Sequence, residues 1–598
     1  MRTPHILLVD NIASFRKAHK RHLEAQRGEG GRPCFEVSSV GSVDDALAQI
    51  RAPVDLALID LRLVDDRDPY DFSGLELCRK IKQETGTFCV LLTEGPISGE
   101  QISEWRKGDW IDDHQAKSKD ARMRREEIAA FLRDRVQTNF GLHVKYEGRD
   151  IDDEGWLRLT EAIEEHPVRM NEVSHLFHRV IPKSVRSIEI MPMEGGASGA
   201  AVVRATANHA CTGLREELII KYGDKEQVWT EGQHFDKCVA PLGPRGAAPR
   251  RWAAKTTSLA AIAYASIRTA EHAGSCTLAD YLGRPDSTYC KETAILASVF
   301  HEACHPWYEA FIGGEATDPR ATVPESTSLR QYLLGHFWSG RDQEDAIAKL
   351  EQIRQNVCSQ GGVRYAHGRI TASLGTTPVD VFDPVDFVLA DHADGFWPRT
   401  QHLCMTHGDF HPRNIFVLDG MPWIIDFADT DWGPLFRDFA TLETALRFTA
   451  VYDFQEREAV FRHEETLAEV DFYPSWWAFR AKPRTLGQAA RLTYRIRQEA
   501  RRLSAAIDPR AWDWRRDYMA ALVFSLLKIA GIRRVSGREE DRHITDRRLL
   551  SYLSAGSLAG KCIYDWGIAA RDQRPLPNIN LWRIPKPEVR PQDQPSTT

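Results

Sequence analysis

The sequence predicts two modules in tandem. A doubly wound parallel α/β sheet comes first, then a two-lobed α+β domain whose carboxyl-terminal lobe is helical. Three observations carry that prediction. Over residues 1–135, apolar runs that each end in a polar residue alternate with helical stretches. Over 186–275, a strand, a Gly-rich turn and further strands follow one another. Beyond them a loop holds Asp409 and Asn414, a short apolar run ends in Asp426, and the chain then takes on helical spacing.

In the first module, Ile6, Leu7, Leu8 and Val9 end in Asp10. Leu56, Ala57, Leu58 and Ile59 end in Asp60, and Cys89, Val90, Leu91 and Leu92 end in Thr93. Helical stretches over 42–51 and 74–84 lie between these runs. Alternating strands and helices imply a parallel sheet with its functional groups at the carboxyl ends of the strands. Asp10, Asp60 and Thr93 then converge at one edge. That constellation resembles a response-regulator receiver domain, a doubly wound fold with five parallel strands. The resemblance implies that Asp60 accepts a phosphoryl group from a sensor histidine kinase. It implies that Asp10 and Asp60 help to hold Mg²⁺, that the Thr93 hydroxyl bonds a phosphoryl oxygen, and that a Lys after the fifth strand pairs with the phosphate. Lys117 matches that Lys best, with Lys119 as its rival. The chemistry is coherent, because a carboxylate nucleophile needs a cation beside it. Three departures stand out. Asn11 occupies the place of a second acid, which weakens a site for a hard cation. An acidic insertion, 64–71, follows Asp60, and Ser118 stands where the family usually has Pro. The alternative is a receiver fold kept for docking or homodimerisation without phosphorylation.

Residues 136–185 read as a helical linker. The stretch 146–155 is polar and turn-rich, 156–165 has helical spacing through Leu157, Leu159, Ala162 and Ile163, and Pro167 breaks it.

Residues 186–275 read as the first lobe of the second module. A strand over 187–193 leads into Gly195, Gly196, Ser198 and Gly199, then into Ala201, Val202 and Val203. A hairpin of this kind can lay backbone N–H groups over phosphates. Leu218, Ile219, Ile220 and Lys221 form a strand with an inward Lys, and a helix with Glu231 follows. In kinase-like folds such a Lys pairs with the nucleotide phosphates and a helix Glu holds it. Glu226 is the runner-up for that Glu.

The core of the second module is His407-Gly408-Asp409-Phe410-His411-Pro412-Arg413-Asn414, followed by Ile424-Ile425-Asp426-Phe427. Phosphoryl transfer from ATP needs one carboxylate to accept the proton of the attacking hydroxyl. It also needs an Asn oxygen and a second carboxylate to hold Mg²⁺ against the phosphates. The segment resembles the aminoglycoside and choline phosphotransferase superfamily, a kinase-like fold. The run from Asp431 to Pro434 and from Arg437 to Ala440 resembles its ternary-complex-associated branch. The resemblance implies Asp409 as the base, Asn414 and Asp426 as metal ligands, and ATP and Mg²⁺ as cofactors. The acceptor is an unidentified hydroxyl on a protein or small molecule. Asp438 is expected to brace the loop. The alternative is a catalytically silent nucleotide-binding scaffold under receiver control.

Length and composition set bounds on this reading. A chain of 598 residues suggests three or four domains. The expected organisation is a receiver over 1–135, the linker over 136–185, an amino-terminal lobe over 186–275, a carboxyl-terminal lobe with a helical extension over 276–572, and a Pro-rich disordered tail over 573–598. A net charge of −7 argues against a global nucleic-acid or membrane surface. The basic stretch 480–516 reads as the solvated side of packed helices. Eleven Cys without a C-x-x-C pair fit reduced thiols and a cytoplasmic protein. His301 and His305, and Cys404 with His407 and His411, read as packing and hydrogen-bonding groups rather than metal ligands.

Overall fold

Strand alternation builds the first sheet. In the computed structural model, β1 (His5–Val9), β2 (Glu36–Val40), β3 (Leu56–Asp60), β4 (Phe88–Thr93) and β5 (Asp113–Ala116) run parallel in the order β2-β1-β3-β4-β5. Helices α1 (Ala13–Glu24), α2 (Val43–Gln49), α3 (Ser73–Thr85), α4 (Gly99–Lys107) and α5 (Ala121–Phe140) connect and follow them. Successive strand residues face opposite sides. Leu7, Val9, Ala57, Ile59 and Leu91 share one core with Ala46 of α2 and Leu77 and Ile81 of α3. Ile6, Leu8, Leu56, Leu58, Val90 and Leu92 share the other with Phe15 of α1 and Ile128 and Leu132 of α5. Both faces are covered, so these strands appear in the sequence as unbroken apolar runs. Each such Leu or Ile contributes roughly 1.5–3 kcal/mol by burial. The order 2-1-3-4-5 places the crevice at the carboxyl ends of β1 and β3.

The structure describes residues 3–565 apart from 29–30, 53, 66–67, 69, 86, 95–96, 109, 118–119, 141, 164–169, 183, 194–199, 210–211, 243–245, 267–275, 285–287, 313–328, 336–342, 390–396, 398–402, 469–483, 508–513 and 533–542. The expected Gly195, Gly196, Ser198 and Gly199 turn, the rival Lys119, and the 573–598 tail lie outside the described residues. The chain divides into two compact units. One comprises Met1–Thr322, Leu403–Ala450 and Ile532–Ile544; the other comprises Val323–His402, Val451–Gly531 and Thr545–Thr598.

The first unit also holds a seven-stranded sheet. It contains β6 (His143–Tyr146), β7 (Arg149–Asp150), β8 (Val185–Pro192), β9 (Ala201–His209), β10 (Arg215–Asp224), β11 (Arg250–Lys255) and β12 (Leu259–Ala265), in the order β11-β12-β10-β9-β8-β6-β7. This corrects the reading of 136–185 as a helical linker. Its polar stretch is a hairpin in which Glu147 and Gly148 turn at φ 50° and 82° and fold β7 onto β6. β6 then pairs in parallel with β8. Helices α6 (Asp153–Glu161) and α7 (Met170–Val180) cover this sheet. Leu159, Val173, Leu176 and Phe177 share a core with Ile188, Ala205, Leu218 and Ile220. β6 and β7 are short and largely exposed, so they carry too little apolar alternation to be read from sequence. Glu172 fixes α7 to the β11–β12 turn. It accepts from Thr256 Oγ1 at 2.7 Å, Ser258 N at 2.8 Å and Ser258 Oγ at 2.9 Å. Helix α8 (Lys225–His234) follows β10 directly.

Further along this unit, strand Leu403–Thr406 pairs with Asp431–Pro434, and Ile415–Leu418 pairs with Met421–Ile424, all antiparallel. Helices Tyr289–Ser298, His305–Ile312 and Arg437–Ala445 pack behind them. A π turn, Val299–Ala303, follows helix Tyr289–Ser298 and sets Phe300 flat against Phe439, with ring centroids 4.2 Å apart.

The second unit is mainly helical. It contains Gln343–Cys358, Arg484–Ile507 and Trp514–Gly531, with a three-stranded meander that ends in Thr377–Phe382. Arg501 and Arg502 of the basic stretch are exposed, whereas Leu486, Ala489, Leu492 and Ile496 are buried. Among the described residues, no helix is long and apolar enough to cross a membrane.

Candidate functional sites

Two polar sites form at strand ends in the first unit. The first lies at the carboxyl edge of the parallel sheet. Asp10 follows β1, Asp60 ends β3, Thr93 ends β4 and Lys117 follows β5. Lys117 N donates to Thr93 O at 2.8 Å, which turns the Lys side chain back over the sheet edge. Lys117 Nζ then lies 3.0 Å from Asp10 Oδ2 and 2.9 Å from Asp60 Oδ1. All three side chains are buried. Burial pushes the Lys117 ammonium down, but Asp60 and Asp10 outweigh it and hold it above its ordinary value. Asp10 Oδ1 also accepts from Ile12 N at 2.8 Å. Half-buried Asn11 sits next to Asp10 at the same edge. Thr93 Oγ1 is buried with no hydrogen-bond partner among the described residues. An unpaired buried hydroxyl is costly, and a phosphoryl oxygen would satisfy it. The Lys117 ammonium already draws two carboxylates around one cation, so hard oxygen donors for Mg²⁺ are in place.

The second site joins the seven-stranded sheet to the segment that follows strand Met421–Ile424. Lys221 on β10 places Nζ 2.8 Å from Glu231 Oε2 and 2.9 Å from Asp426 Oδ1. Glu231 is 1% exposed, and its other oxygen accepts from Tyr264 OH at 2.7 Å. Val228, Glu231 and Gly232 share the buried face of α8, whose start is capped by Asp224 accepting from Gln227 N at 3.0 Å. Glu226 is exposed one and a half turns earlier, so the structure sets Glu231 against Lys221 and not the runner-up. Burial pushes Lys221 down, yet Asp426 and Glu231 together hold its ammonium well above the ordinary value. Burial likewise pushes the Glu231 carboxyl up, and Lys221 opposes that.

The loop 407–414 is held from behind. Asp438 is fully buried and accepts from His407 N at 2.7 Å and Gly408 N at 3.0 Å, as a brace. Burial pushes its carboxyl up, against the pull of His407 and the two N–H groups. Gly408 has φ 82°, and a Cβ there would lie 2.2 Å from Asp429 O. His407 Nε2–H donates to Ile425 O at 2.9 Å. Asn414 bridges the two halves: its Nδ2 donates to Asp409 O at 3.0 Å, and its O accepts from Ile425 N at 3.0 Å. Asp426 follows with a left-handed φ of 64°, a sparsely populated conformation that recurs at functional sites. Asp409 and Asp426 each keep about a third of the side chain exposed, so the network opens to solvent on their side. His411 Nε2 lies 3.4 Å from Asp409 Oδ2.

Lys221, Glu231 and Asp426 thus form one side-chain network, and hydrogen bonds through Asn414 tie the Asp409 loop to the segment that leads into Asp426. Among the described residues, no cluster of three or more His, Cys, Asp or Glu side chains is arranged to hold a metal by itself. A magnesium site completed by substrate phosphates and water needs only one or two carboxylates. Asp426, already paired with a cation, fits that role. Sequence reading missed Tyr264, whose hydroxyl donates to Glu231, because an aromatic residue in an apolar strand reads as core. It also gave His411 no part beside Asp409. Cys404 is buried behind the loop, where burial holds its thiol far above the usual range.

Residues 343–529 match the family model described as Ternary complex associated domain 9. No curated protein was found to match the chain. Three solved structures are similar in part. The receiver domain of CheB from Thermotoga maritima is 18% identical, covering 23% of this chain and 95% of its own, with a TM-score of 0.19. An aminoglycoside-3'-phosphotransferase of type VIII is 13% identical, covering 61% and 93%, with a TM-score of 0.25. An ethanolamine kinase of Plasmodium vivax is 10% identical, covering 68% and 96%, with a TM-score of 0.32. The 2-1-3-4-5 sheet makes the first part receiver-like. The Lys221–Glu231 pair facing the 409–426 segment makes the second kinase-like. The chain therefore joins a receiver-like doubly wound sheet to a second module with a kinase-like Lys221–Glu231–Asp426 constellation, and its residues 343–529 are similar to Ternary complex associated domain 9.

Proposed function

We propose that the chain is a cytoplasmic two-component-type signalling protein in which phosphorylation of Asp60 controls an ATP-dependent phosphotransferase. The observation that carries this reading is the Lys221 ammonium held between Glu231 and Asp426. A kinase-like site uses such a Lys on the nucleotide phosphates and a helix carboxylate to fix it. The Gly195, Gly196, Ser198 and Gly199 turn, read from sequence, would add backbone N–H donors. Asn414 and Asp426 would hold Mg²⁺, which neutralises phosphate charge when bound. Asp409 takes the proton of the acceptor hydroxyl. The acceptor oxygen bonds to the γ-phosphorus as the bridging P–O bond breaks, and ADP leaves with that electron pair.

At the other site, Asp60 attacks the phosphorus of a phosphohistidine on a sensor histidine kinase. The P–N bond breaks and the histidine nitrogen keeps the pair and takes up a proton. Asp10 and Asp60 would hold Mg²⁺ there, while Lys117 and Thr93 pair with the new phosphoryl oxygens. The receiver is also the surface proposed for a homodimer. The hydroxyl acceptor belongs to a protein or small molecule.

The test is transfer from labelled ATP with Mg²⁺ to a panel of hydroxyl acceptors, comparing the native chain with Asp409→Ala. Acceptor-dependent transfer that disappears in the variant supports the enzyme. Nucleotide binding without transfer, unaltered in the variant, leaves a switchable scaffold instead.

A further inference from the structure

We infer that α3 is the rod through which the Asp60 pocket and the Lys221–Glu231 pair act on each other, fastened to the kinase-like lobe by Lys225, Lys255 and Arg179. The inference deepens the proposed receiver control and rests on that reading.

One end of α3 presses on the backbone of the phosphoacceptor. Gly74 N donates to Leu61 O at 3.0 Å, and a Cβ on Gly74 would lie 1.8 Å from Asp60 O. Leu63 N donates to Ser73 Oγ at 3.0 Å, and the Asp71 carboxylate accepts from Val64 N, Asp65 N and Ser73 N. Val64, Asp65 and Asp71 of the acidic insertion are therefore tied to the start of α3. A change in charge at Asp60 would therefore act beside a backbone that α3 already touches.

The other end meets three cations. Lys255 Nζ donates to Gln83 O, Lys225 Nζ to Glu84 O, and Arg179 to Thr85 O. These are the last three carbonyls of α3. A helix ends in unpaired carbonyls and partial negative charge, so cationic donors there are favourable. Arg179 also donates to Val54 O at 3.1 Å and to Lys255 O at 2.9 Å. Thr257 Oγ1 donates to Ile50 O at 3.0 Å, and His175 Nε2 lies 3.2 Å from Asp55 Oδ1.

Two of the three cations lead into α8. Lys225 is its first residue, and Lys255 Nζ sits 4.8 Å over the ring of Trp229. The same helix carries Glu231 and, at its far end, His234, whose Nδ1–H donates to Ala428 O at 2.7 Å beside Asp426. The path is Asp60, Gly74, α3, Glu84, Lys225, α8, Glu231, Lys221. Its joint at the end of α3 is made of separate polar contacts. A cleft of about 360 Å³ lies against that joint, lined by Leu47, Arg51, Lys80, Glu84, Lys225 and Thr257. Long cationic side chains beside such a cleft can change partners without repacking either domain.

The experiment measures the affinity of the full chain for AMP-PNP with Mg²⁺, with and without beryllofluoride as a phosphoryl mimic on Asp60. Native chain, Asp60→Asn, Lys225→Gln and Lys225→Arg are compared. Coupling by this route predicts a change of about fivefold or more in the native chain. The change disappears in Asp60→Asn, is largely lost in Lys225→Gln, and returns in Lys225→Arg, with the affinity lacking beryllofluoride unaltered in the two Lys225 variants. An undiminished response in Lys225→Gln, or none in the native chain, overturns the inference. Failure of the nucleotide to bind at all counts against the phosphotransferase reading alone. Coupling is then read from amide exchange in α8: a beryllofluoride effect in the native chain that Lys225→Gln abolishes supports the rod, and no effect overturns it.

Discussion

Lys221 and Asp426 stand 205 positions apart in the chain, and their side chains meet at 2.9 Å. The contact neutralises a carboxylate whose own backbone is held in the left-handed region, at a cost of order 1–3 kcal/mol. It also joins β10 to the segment that follows the 407–414 loop. The stability and the proposed chemistry of the site therefore depend on the same ammonium.

Lys221→Met should destabilise the first unit by about 3–5 kcal/mol, because Glu231 is left buried without its cation. Glu231→Gln should cost less, since Tyr264 and Lys221 still have a polar partner. Denaturant midpoints of the two variants would check the order. Nucleotide affinity should fall in both.

Asp409→Asn should lower single-turnover transfer by about 10²–10⁴-fold while leaving nucleotide affinity unchanged. The Asn414 Nδ2 contact is to the Asp409 backbone oxygen, so the variant keeps the loop geometry. An equal loss of affinity and turnover would show that Asp409 holds nucleotide rather than accepting the proton.

Gly408→Ala and Gly420→Ala form a matched pair. Both positions have positive φ, 82° and 77°, but a Cβ on Gly408 would strike Asp429 O, whereas nothing lies within 4 Å of one on Gly420. Gly420→Ala should cost only the conformational term, about 1–2 kcal/mol. Gly408→Ala should cost clearly more and displace the loop. Thermal midpoints decide this, and equal values would mean that the close approach relaxes freely.

Thr93→Val tests the unpaired hydroxyl. Removing a buried polar atom without a partner should leave receiver stability unchanged or raise it by up to about 1–3 kcal/mol. Beryllofluoride binding should weaken at the same time. A marked loss of stability would mean that Thr93 Oγ1 already has a partner.

His19 sets a pH dependence. Its Nδ1–H donates to Phe15 O at 2.9 Å, its ring stacks on Phe15, and its buried Nε2 has no partner among the described residues. Burial lowers its pKa to about 4 from 6.5, helped by Arg124, Arg125 and Lys117 against the Phe15 bond. Between those values the unfolded chain binds a proton that the folded chain refuses. Stability from this group is therefore full above about 6.5 and is lost as pH falls toward 4. Between pH 6.5 and 4 the melting temperature of the native chain should fall more steeply than that of His19→Gln, which lacks the titration.

Much of this architecture was legible in the chain. β1, β3 and β4 are buried on both faces, so local composition alone marks them. Asp10, Asp60 and Thr93 follow those runs directly, and their convergence is a consequence of parallel topology. The Asp409–Asn414–Asp426 spacing is equally local. β6 and β7 were not legible, because short exposed strands look like any polar turn. Nor was the bond from Tyr264 to Glu231, since an aromatic residue in an apolar strand reads as core.

The sequence by itself determined that a doubly wound sheet comes first, and which polar groups end its strands, because burial writes its period into neighbouring residues. Only the tertiary structure decided that Glu231 rather than Glu226 meets Lys221, that 143–150 extends the second sheet, and that Lys225, Lys255 and Arg179 close the end of α3. Those cations carry the charge of ordinary surface residues. What distinguishes them is a carbonyl more than ninety residues away, and no local pattern encodes a partner at that distance.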